Sequence, residues 1–183
     1  GIDLTDEYCK VAKILTAKTD LLNLVDFQQA DATQLPFDDQ TFDVVWTEHA
    51  AMNISDKAQL YKEMYRVLKS GGTLAIYDVL AGSSESVIFP VPWARTADTS
   101  FLIQPAELHQ LLVNTGFTVT DWTDTTEAAR EWFVRLAEKI KNQGLPPLGF
   151  HILLGNDFQL MAQNQRRNLE EGRIVLAQVI AKK

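Results

Sequence analysis

The sequence is short of cysteine, since Cys9 is the only one in 183 residues. No disulfide can form within the chain, so its stability must come from packing rather than from covalent cross-links. Few cysteines are typical of reducing compartments, and we predict a cytoplasmic protein. Because 46% of the residues are hydrophobic, the chain can bury a sizeable core, and its length predicts a single domain over residues 1–183.

Positive charge is also scarce. Lys and Arg number 17 against 24 Asp and Glu, which gives a net charge of −7. Phosphate-backbone binding needs clustered basic side chains, and the densest pair, Arg166-Arg167, is followed within one turn by Glu170-Glu171. The apolar runs fall far short of the roughly 20 residues that a membrane span needs. We therefore predict no nucleic-acid partner, no membrane partner and no metal site.

The stretch over residues 66–78, RVLKSGGTLAIYD, organises the sequence. Its first four residues end a helix, Ser70-Gly71-Gly72 forms a turn, and an apolar strand follows over residues 73–77. Glycine fits the left-handed conformation that ends many helices, and an apolar run with little alternation is typical of a strand covered on both faces. The stretch therefore predicts one helix–strand unit of an α/β protein.

Strands and helices are predicted to alternate along the rest of the chain, from apolar runs and from apolar residues at helical spacing. The predicted strands cover residues 1–4, 25–30, 42–46, 73–77, 117–122 and 174–180, and the predicted helices start near Thr5, Ser55, Pro105, Thr125 and Asp157. In the fourth helix, Trp132 and Phe133 are expected to face inward. Two late strands after the alternation predict a largely parallel sheet with an antiparallel C-terminal edge.

Two segments lack any periodicity and carry glycine and proline: residues 81–103 and residues 144–155. Loops at the ligand-binding end of a sheet commonly carry function. We name them the first and second lid segments and predict that they select the ligand.

Polar residues follow three of the predicted strands. Asp3 follows the first, Asp31-Ala32 the second and Thr47-Glu48-His49 the third. In open α/β sheets, ligands lie outside the carboxyl ends of the strands. A carboxylate can accept hydrogen bonds from both hydroxyls of a ribose, so Asp3 suits a nucleotide ligand. Taken alone, each aspartate is better explained as a helix cap or turn residue.

Together with the glycine turn, Leu35-Pro36-Phe37 and Phe42-Asp43, these strand ends resemble the motifs of class I S-adenosylmethionine (SAM) dependent methyltransferases. The resemblance covers nearly the whole chain and implies a Rossmann-like α/β fold with SAM as cofactor. It places an acid on the cofactor's ribose and another on its adenine amino group. The implied cofactor-binding residues are Asp3, Leu4, Asp31, Ala32, Thr47 and Glu48.

The C-terminal third indicates which methyltransferases the sequence resembles most. Residues 148–155, LGFHILLG, residues 168–174, NLEEGRI, and Trp93 in the first lid segment are similar to those of small-molecule methyltransferases. Sarcosine/dimethylglycine N-methyltransferases come nearest, with the phosphoethanolamine and tocopherol types close by. The resemblance implies methyl transfer to a small amine such as an amino acid derivative. Methylation of oxygen or carbon in a phenol or quinone is the alternative chemistry.

Such a transfer is an in-line displacement, to which alignment of the reacting atoms contributes most. An ammonium acceptor must first lose a proton, and His49 and His151 are the candidate bases. Tyr77 and Trp93 can face a cationic amine, and Arg95 can pair with a substrate carboxylate. Packing and surface roles explain these residues as well: a hydrogen-bonded loop for His49, and a core or lid position for His151.

One family feature is missing, because no G-x-G-x-G stands anywhere in the sequence. The chain begins at the expected second strand, so the predicted sheet lacks its first strand, between the strand ending at Asp3 and the strand over residues 42–46. We expect an upstream segment to fill this slot, or a strand from another copy in a homo-oligomer, or direct pairing of the two strands. The chain by itself is expected to bind little SAM. A non-catalytic methyltransferase-like domain that binds a partner is the alternative from another class.

Overall fold

The computed structural model describes residues 1–183. Strands and α-helices alternate along most of the chain, with short 3-10 helices at Ala51–Asn53, Ala97–Thr99 and Gly155–Asp157. The elements are β1 (Ile2–Asp3), α1 (Asp6–Lys18), β2 (Gln28–Gln29), β3 (Phe42–Glu48), α2 (Lys57–Val67), β4 (Leu68–Ala81), α3 (Pro105–Thr115), β5 (Thr118–Asp124), α4 (Thr126–Gln143), α5 (Phe150–Leu154), α6 (Phe158–Glu170) and β6 (Ile174–Lys182). No helix has the length and apolar character needed to cross a membrane.

The main sheet has four strands in the order β3-β4-β6-β5. β3 pairs in parallel with β4, whereas β6 is antiparallel to both β4 and β5. Three strands therefore run in one direction, and only β6 runs in the other. This arrangement confirms the predicted α/β fold with a mostly parallel sheet and an antiparallel C-terminal strand. β6 lies one strand in from the edge, because β5 covers its outer side.

The predicted slot lies between two separate sheets. β1 and β2 form their own parallel pair, with Ile2 opposite Gln28, and neither is hydrogen-bonded to β3. The alternative in which β1 and β3 pair directly is therefore wrong. On β3, Trp46 is 70% exposed and Val44 58%, which leaves the edge strand with uncovered apolar side chains. Filling of the slot by an upstream segment or by another copy stays a prediction.

The glycine turn interrupts the pairing of β3 with β4. Phe42 lies opposite Leu68 and Val44 opposite Thr73, so residues 69–72 bulge out of the ladder. Gly71 has φ +76°, which favours glycine. The prediction of a helix through Lys69 and a turn before a strand at Thr73 is therefore wrong in its bounds, because α2 ends at Val67 and the glycines form a bulge within β4.

Helices cover both faces of the main sheet. α2 and α3 pack on one face, and α4 and α6 pack on the other. Alternate residues of β4 point to the two faces: Leu74, Ile76 and Leu80 join the core under α2 and α3, and Val79 joins the core beneath α6. The core residues of the larger cluster include Leu60, Tyr61, Met64, Leu108, Leu112, Phe117 and Val179.

Several predicted details differ from the structure. Asp56, not Ser55, caps α2, because its side chain accepts a hydrogen bond from the backbone N–H of Gln59 at 2.9 Å. The strand predicted over residues 25–30 is reduced to β2. α5 forms inside the second lid segment. Trp132 is 50% exposed rather than inward-facing, because α4 buries only a narrow face.

Candidate active site

The ends of β1 and β2 bring Asp3 and Asp31 to the same edge. The parallel ladder places Asp3 opposite Gln29, and the N–H of Ala30 donates to the carbonyl of Asp3 at 3.0 Å. The side chain of Gln29 also donates to the carbonyl of Leu4 at 3.0 Å. Backbone pairing therefore fixes the spacing between these two strand ends.

Both aspartates shape their own turns with one carboxylate oxygen. Oδ1 of Asp3 accepts from the N–H of Thr5 at 2.7 Å. Oδ1 of Asp31 accepts from the N–H and the hydroxyl of Thr33, at 2.8 and 2.7 Å, and these bonds lower the pKa of Asp31. Oδ2 of each residue makes no hydrogen bond within the chain, and both side chains are exposed. Each carboxylate thus has an oxygen available for a ligand.

The end of β3 carries the third group. Thr47 is buried opposite Ile76 of β4, whereas Glu48 is exposed opposite Tyr77. His49 follows with φ +48°, a conformation that few non-glycine residues adopt. Such strained residues concentrate at functional sites.

His49 lies against Tyr77, and the sequence singled out both. The backbone N–H of His49 donates to the backbone carbonyl of Tyr77 at 2.9 Å, and the centroids of the two rings are 4.7 Å apart. Partial burial lowers the pKa of His49, and the charge of Glu48 opposes this shift. The imidazole is therefore mainly uncharged at pH 7 and can accept a proton.

The first lid segment is fixed over the short helix Ala51–Asn53. The indole N–H of Trp93 donates to the hydroxyl of Ser100 at 3.0 Å, and Trp93 packs against the buried cluster that includes Val79. The side chain of Asn53 donates to the carbonyls of Trp93 and Thr99. Trp93 is thus both a lid residue and part of the core beneath it.

Arg95 and His151 are engaged away from the strand ends. Arg95 forms an ion pair with Asp157, which joins the first lid segment to the residues just after the second. His151 lies on α5, where its ring is 5.9 Å from that of Phe158. No hydrogen bond or ring contact joins His151 to His49, so the structure does not bring the two candidate bases together.

A buried ionisable cluster escaped the sequence reasoning. Asp78 on β4 is 3% exposed and lines a small cavity with Lys57, Tyr61 and Phe101. Lys57 donates from Nζ to the carbonyls of Ala51 and Ile54, at 2.6 and 2.8 Å. Burial raises the pKa of Asp78 to about 7, although the N–H of Val79 and the charge of Lys57 lower it. The sequence shows that Asp78 is an acid within an apolar strand. It does not show which face of the sheet Asp78 lies on.

The chain is similar in sequence to known proteins in the part that carries these strand ends. Residues 1–76, which include β1 to β3 and all six of the implied cofactor-binding residues, match the family model described as methyltransferase domain. Over these residues the chain is similar to methyltransferase domains. The match ends within β4, just past its glycine turn.

Two curated relatives extend this likeness. The ubiquinone/menaquinone biosynthesis C-methyltransferase UbiE of Marinomonas sp. is 37% identical over 83 residues, which cover 45% of this chain and 33% of the relative. Methyltransferase GfsG of Streptomyces halstedii is 30% identical over 133 residues, which cover 71% of this chain and 48% of the relative. The matched stretches thus span a third to a half of these relatives' length.

Solved structures agree on the fold. A putative sarcosine dimethylglycine methyltransferase from Galdieria sulphuraria matches with a TM-score of 0.80 at 15% identity, over 100% of this chain and 68% of that one. Phosphoethanolamine N-methyltransferase 2 of Haemonchus contortus, in complex with S-adenosyl-L-methionine, matches with a TM-score of 0.79 at 18% identity, over 100% and 42%. The Rossmann-like prediction is confirmed.

Proposed function

We propose that this chain acts in SAM-dependent methyl transfer to a small-molecule acceptor. The observation that carries the proposal is the placement of Asp3 and Asp31 at adjacent strand ends within the matched methyltransferase domain. Each aspartate keeps one carboxylate oxygen outside its own turn, so the pair can accept hydrogen bonds from a ligand.

The donor and acceptor chemistry of this edge fits SAM. Oδ2 of Asp3 would accept from a ribose hydroxyl, and Oδ2 of Asp31 would accept from the adenine amino group. The N–H of Ala32, beside Asp31, would donate to a ring nitrogen. Thr47 and Glu48, at the end of β3, would border the cofactor and the acceptor. When bound, SAM supplies an electrophilic methyl group on a positively charged sulfur.

We infer an amine acceptor, such as an amino acid derivative. His49 supports this choice, because its lowered pKa leaves it uncharged and able to take the proton of an ammonium group. Tyr77 lies against His49 and would face the same acceptor through its ring. Trp93 would close the site from the first lid segment, with Arg95 beside it for a carboxylate. His151 remains the second candidate base.

A carbon acceptor of the quinol type is the second candidate. The naming of one relative as a ubiquinone/menaquinone C-methyltransferase favours it. An uncharged His49 would then accept a proton from the ring hydroxyl of the quinol instead of from an amine. A domain that binds a partner without catalysis is the remaining alternative, and it requires that the cofactor not bind.

Titration calorimetry with SAM and with S-adenosylhomocysteine tests the cofactor site. It should be done on this chain and on a form that carries any residues encoded before Gly1. Loss of one hydrogen bond to a charged group costs about 1.5–3 kcal/mol, so Asp3→Ala or Asp31→Ala should weaken binding roughly tenfold or more. Asp26→Ala is the matched control, because Asp26 also accepts a local backbone N–H but lies before β2.

Unchanged dissociation constants in both variants would remove the cofactor site from these strand ends. Absence of binding in both forms of the chain would favour the partner-binding alternative. Transfer of a labelled methyl group from SAM to sarcosine or to a 1,4-naphthohydroquinone then separates the amine from the carbon acceptor.

A further inference from the structure

The first lid segment closes on itself at its base. The N–H of Ala81 donates to the carbonyl of Ile103 at 2.9 Å, so the loop leaves and re-enters the body of the protein at one point. Loops whose ends meet in this way are compact and are often functional. Between these ends, the segment is held in two halves by different side chains.

The first half, residues 84–90, is fixed to α6. Asn168, which is fully buried, donates to the carbonyl of Ile88 at 2.9 Å and accepts from its N–H at 2.8 Å. The side chain of Asn164 donates to the carbonyl of Pro90 at 3.0 Å. This half is therefore tied to α6 through a buried side chain, although none of its own residues is buried.

The second half, residues 93–101, is attached to the short helix Ala51–Asn53, and Arg95 within it also pairs with Asp157. The side-chain amide of Asn53 donates to the carbonyl of Trp93 at 2.7 Å and to that of Thr99 at 2.8 Å. Both partners are acceptors, so the two N–H groups of one amide fit the site and are fully used. The N–H of Phe101 adds a backbone bond to the carbonyl of Met52 at 2.8 Å.

The position of Asn53 connects this second half to the strand end. Asn53 is the last residue of the 3-10 helix that starts two residues after His49. The carbonyl of Ala51, the first residue of that short helix, accepts from Nζ of Lys57 at 2.6 Å, so the helix is itself held in place by α2. The exposed amide of Asn53 thus links Trp93 to the strand end that carries His49, together with the Phe101–Met52 backbone bond.

We propose that Asn53 is a positioning residue that sets the acceptor side of the site by holding residues 93–101 against the strand end that carries His49. This inference rests on the proposed function only where it names an acceptor side. The hydrogen bonds of Asn53 do not depend on that function. Asn168 holds its half from a buried position, whereas Asn53 is exposed and its bonds compete with water. The two bonds of Asn53 are therefore more easily broken than those of Asn168, although Trp93 and Ala94 also pack against the body of the protein.

Hydrogen exchange on the full chain tests the contact. Asn53→Asp keeps the side-chain shape but removes both donors, and peptides covering residues 93–103 should exchange roughly tenfold faster, while residues 84–90 stay unchanged. Asn114→Asp is the matched control, since Asn114 is an exposed asparagine on α3 whose side-chain oxygen accepts from Gln110. Asn53→Gln, which keeps the amide donors, should recover part of the protection.

Kinetics separate positioning from stability. With sarcosine or a 1,4-naphthohydroquinone as acceptor, Asn53→Asp should raise the acceptor KM about tenfold, leave kcat within about twofold and leave S-adenosylhomocysteine affinity unchanged. The proposal would be overturned if Asn53→Asp speeded hydrogen exchange equally in residues 84–90 and 93–103. It would also be overturned if Asn114→Asp speeded exchange in residues 93–103 as much as Asn53→Asp does. If neither acceptor is methylated, the proposed function fails for these acceptors, and the exchange data alone decide the role of Asn53.

Discussion

The buried carboxyl of Asp78 makes a prediction about stability that can be worked out in advance. Asp78 lies on β4 at 3% exposure, and its partners are the ammonium of Lys57 and the phenol of Tyr61 on α2. Asp78→Asn replaces the carboxyl by an uncharged group of nearly the same shape. The comparison between protein and variant across pH therefore isolates the ionisation of one side chain.

The sign follows from the direction of the shift. The pKa of Asp78 rises from an ordinary 3.8 to about 7 in the folded chain, mainly because burial disfavours the charge. The protonated carboxyl of Asp78 therefore contributes its whole share to the free energy of unfolding below about pH 4. That share is lost as the pH rises from about 4 through 7. At about 1.4 kcal/mol per pH unit, the loss amounts to about 4 kcal/mol. The attraction of Lys57 is already included in this figure.

Urea unfolding followed by tryptophan fluorescence, from pH 4.5 to pH 8.5, measures the effect. The free energy of unfolding of the protein should fall relative to that of Asp78→Asn as the pH rises, and the difference should level off above pH 8. Asp43→Asn, at an exposed residue paired with Lys69, should show no such trend in this range. Parallel curves for the protein and Asp78→Asn would refute the burial argument.

Three further predictions concern the site and the backbone. If His49 is the base, the rate of methyl transfer to an amine should fall only below pH 6.5, because the pKa of His49 is lowered, and His49→Gln should remove that pH dependence in a stopped assay. Trp93→Ala should weaken acceptor binding and spare SAM binding by calorimetry, whereas equal losses of both would make Trp93 a core residue only. Gly116→Ala should cost more stability in urea than Gly71→Ala, because both have positive φ but only at Gly116 would a Cβ lie 3.0 Å from the ring of Tyr65.

Much of the fold could be predicted because its signals are local. The break at Gly71-Gly72, the strand over residues 42–46, and the start of α3 at Pro105 and its end at Gly116 all depend on residues next to one another. The sequence predicts Ser55 rather than Asp56 at the start of α2, because both residue types cap helices and only backbone geometry separates them. Helix α5 was missed because prolines and glycines around it break the periodicity.

The candidate site was predicted in part. The pairing of β1 with β2, which joins Asp3 to Asp31, follows from the parallel order of the strands. The contact between His49 and Tyr77 depends on the register of β3 and β4, which the residues alone do not give. Asp78 is an acid in an apolar strand, and only the assembled sheet shows that it lies among Lys57 and Tyr61. Long-range register, rather than residue type, is what sequence reasoning could not supply.

The place of β6 has a consequence for the order of folding. β6 pairs with β4 along its whole length and with β5 on its other side, although about a hundred residues separate Thr73 from its partner Lys182. Until residues 174–182 leave the ribosome, β4 and β5 therefore have no shared neighbour, and both present open edges. Exposed edges of this kind attract other chains, and late long-range pairing slows folding. A ribosome stalled before Ile174 should accordingly carry a nascent chain that resists proteolysis poorly and binds chaperones well.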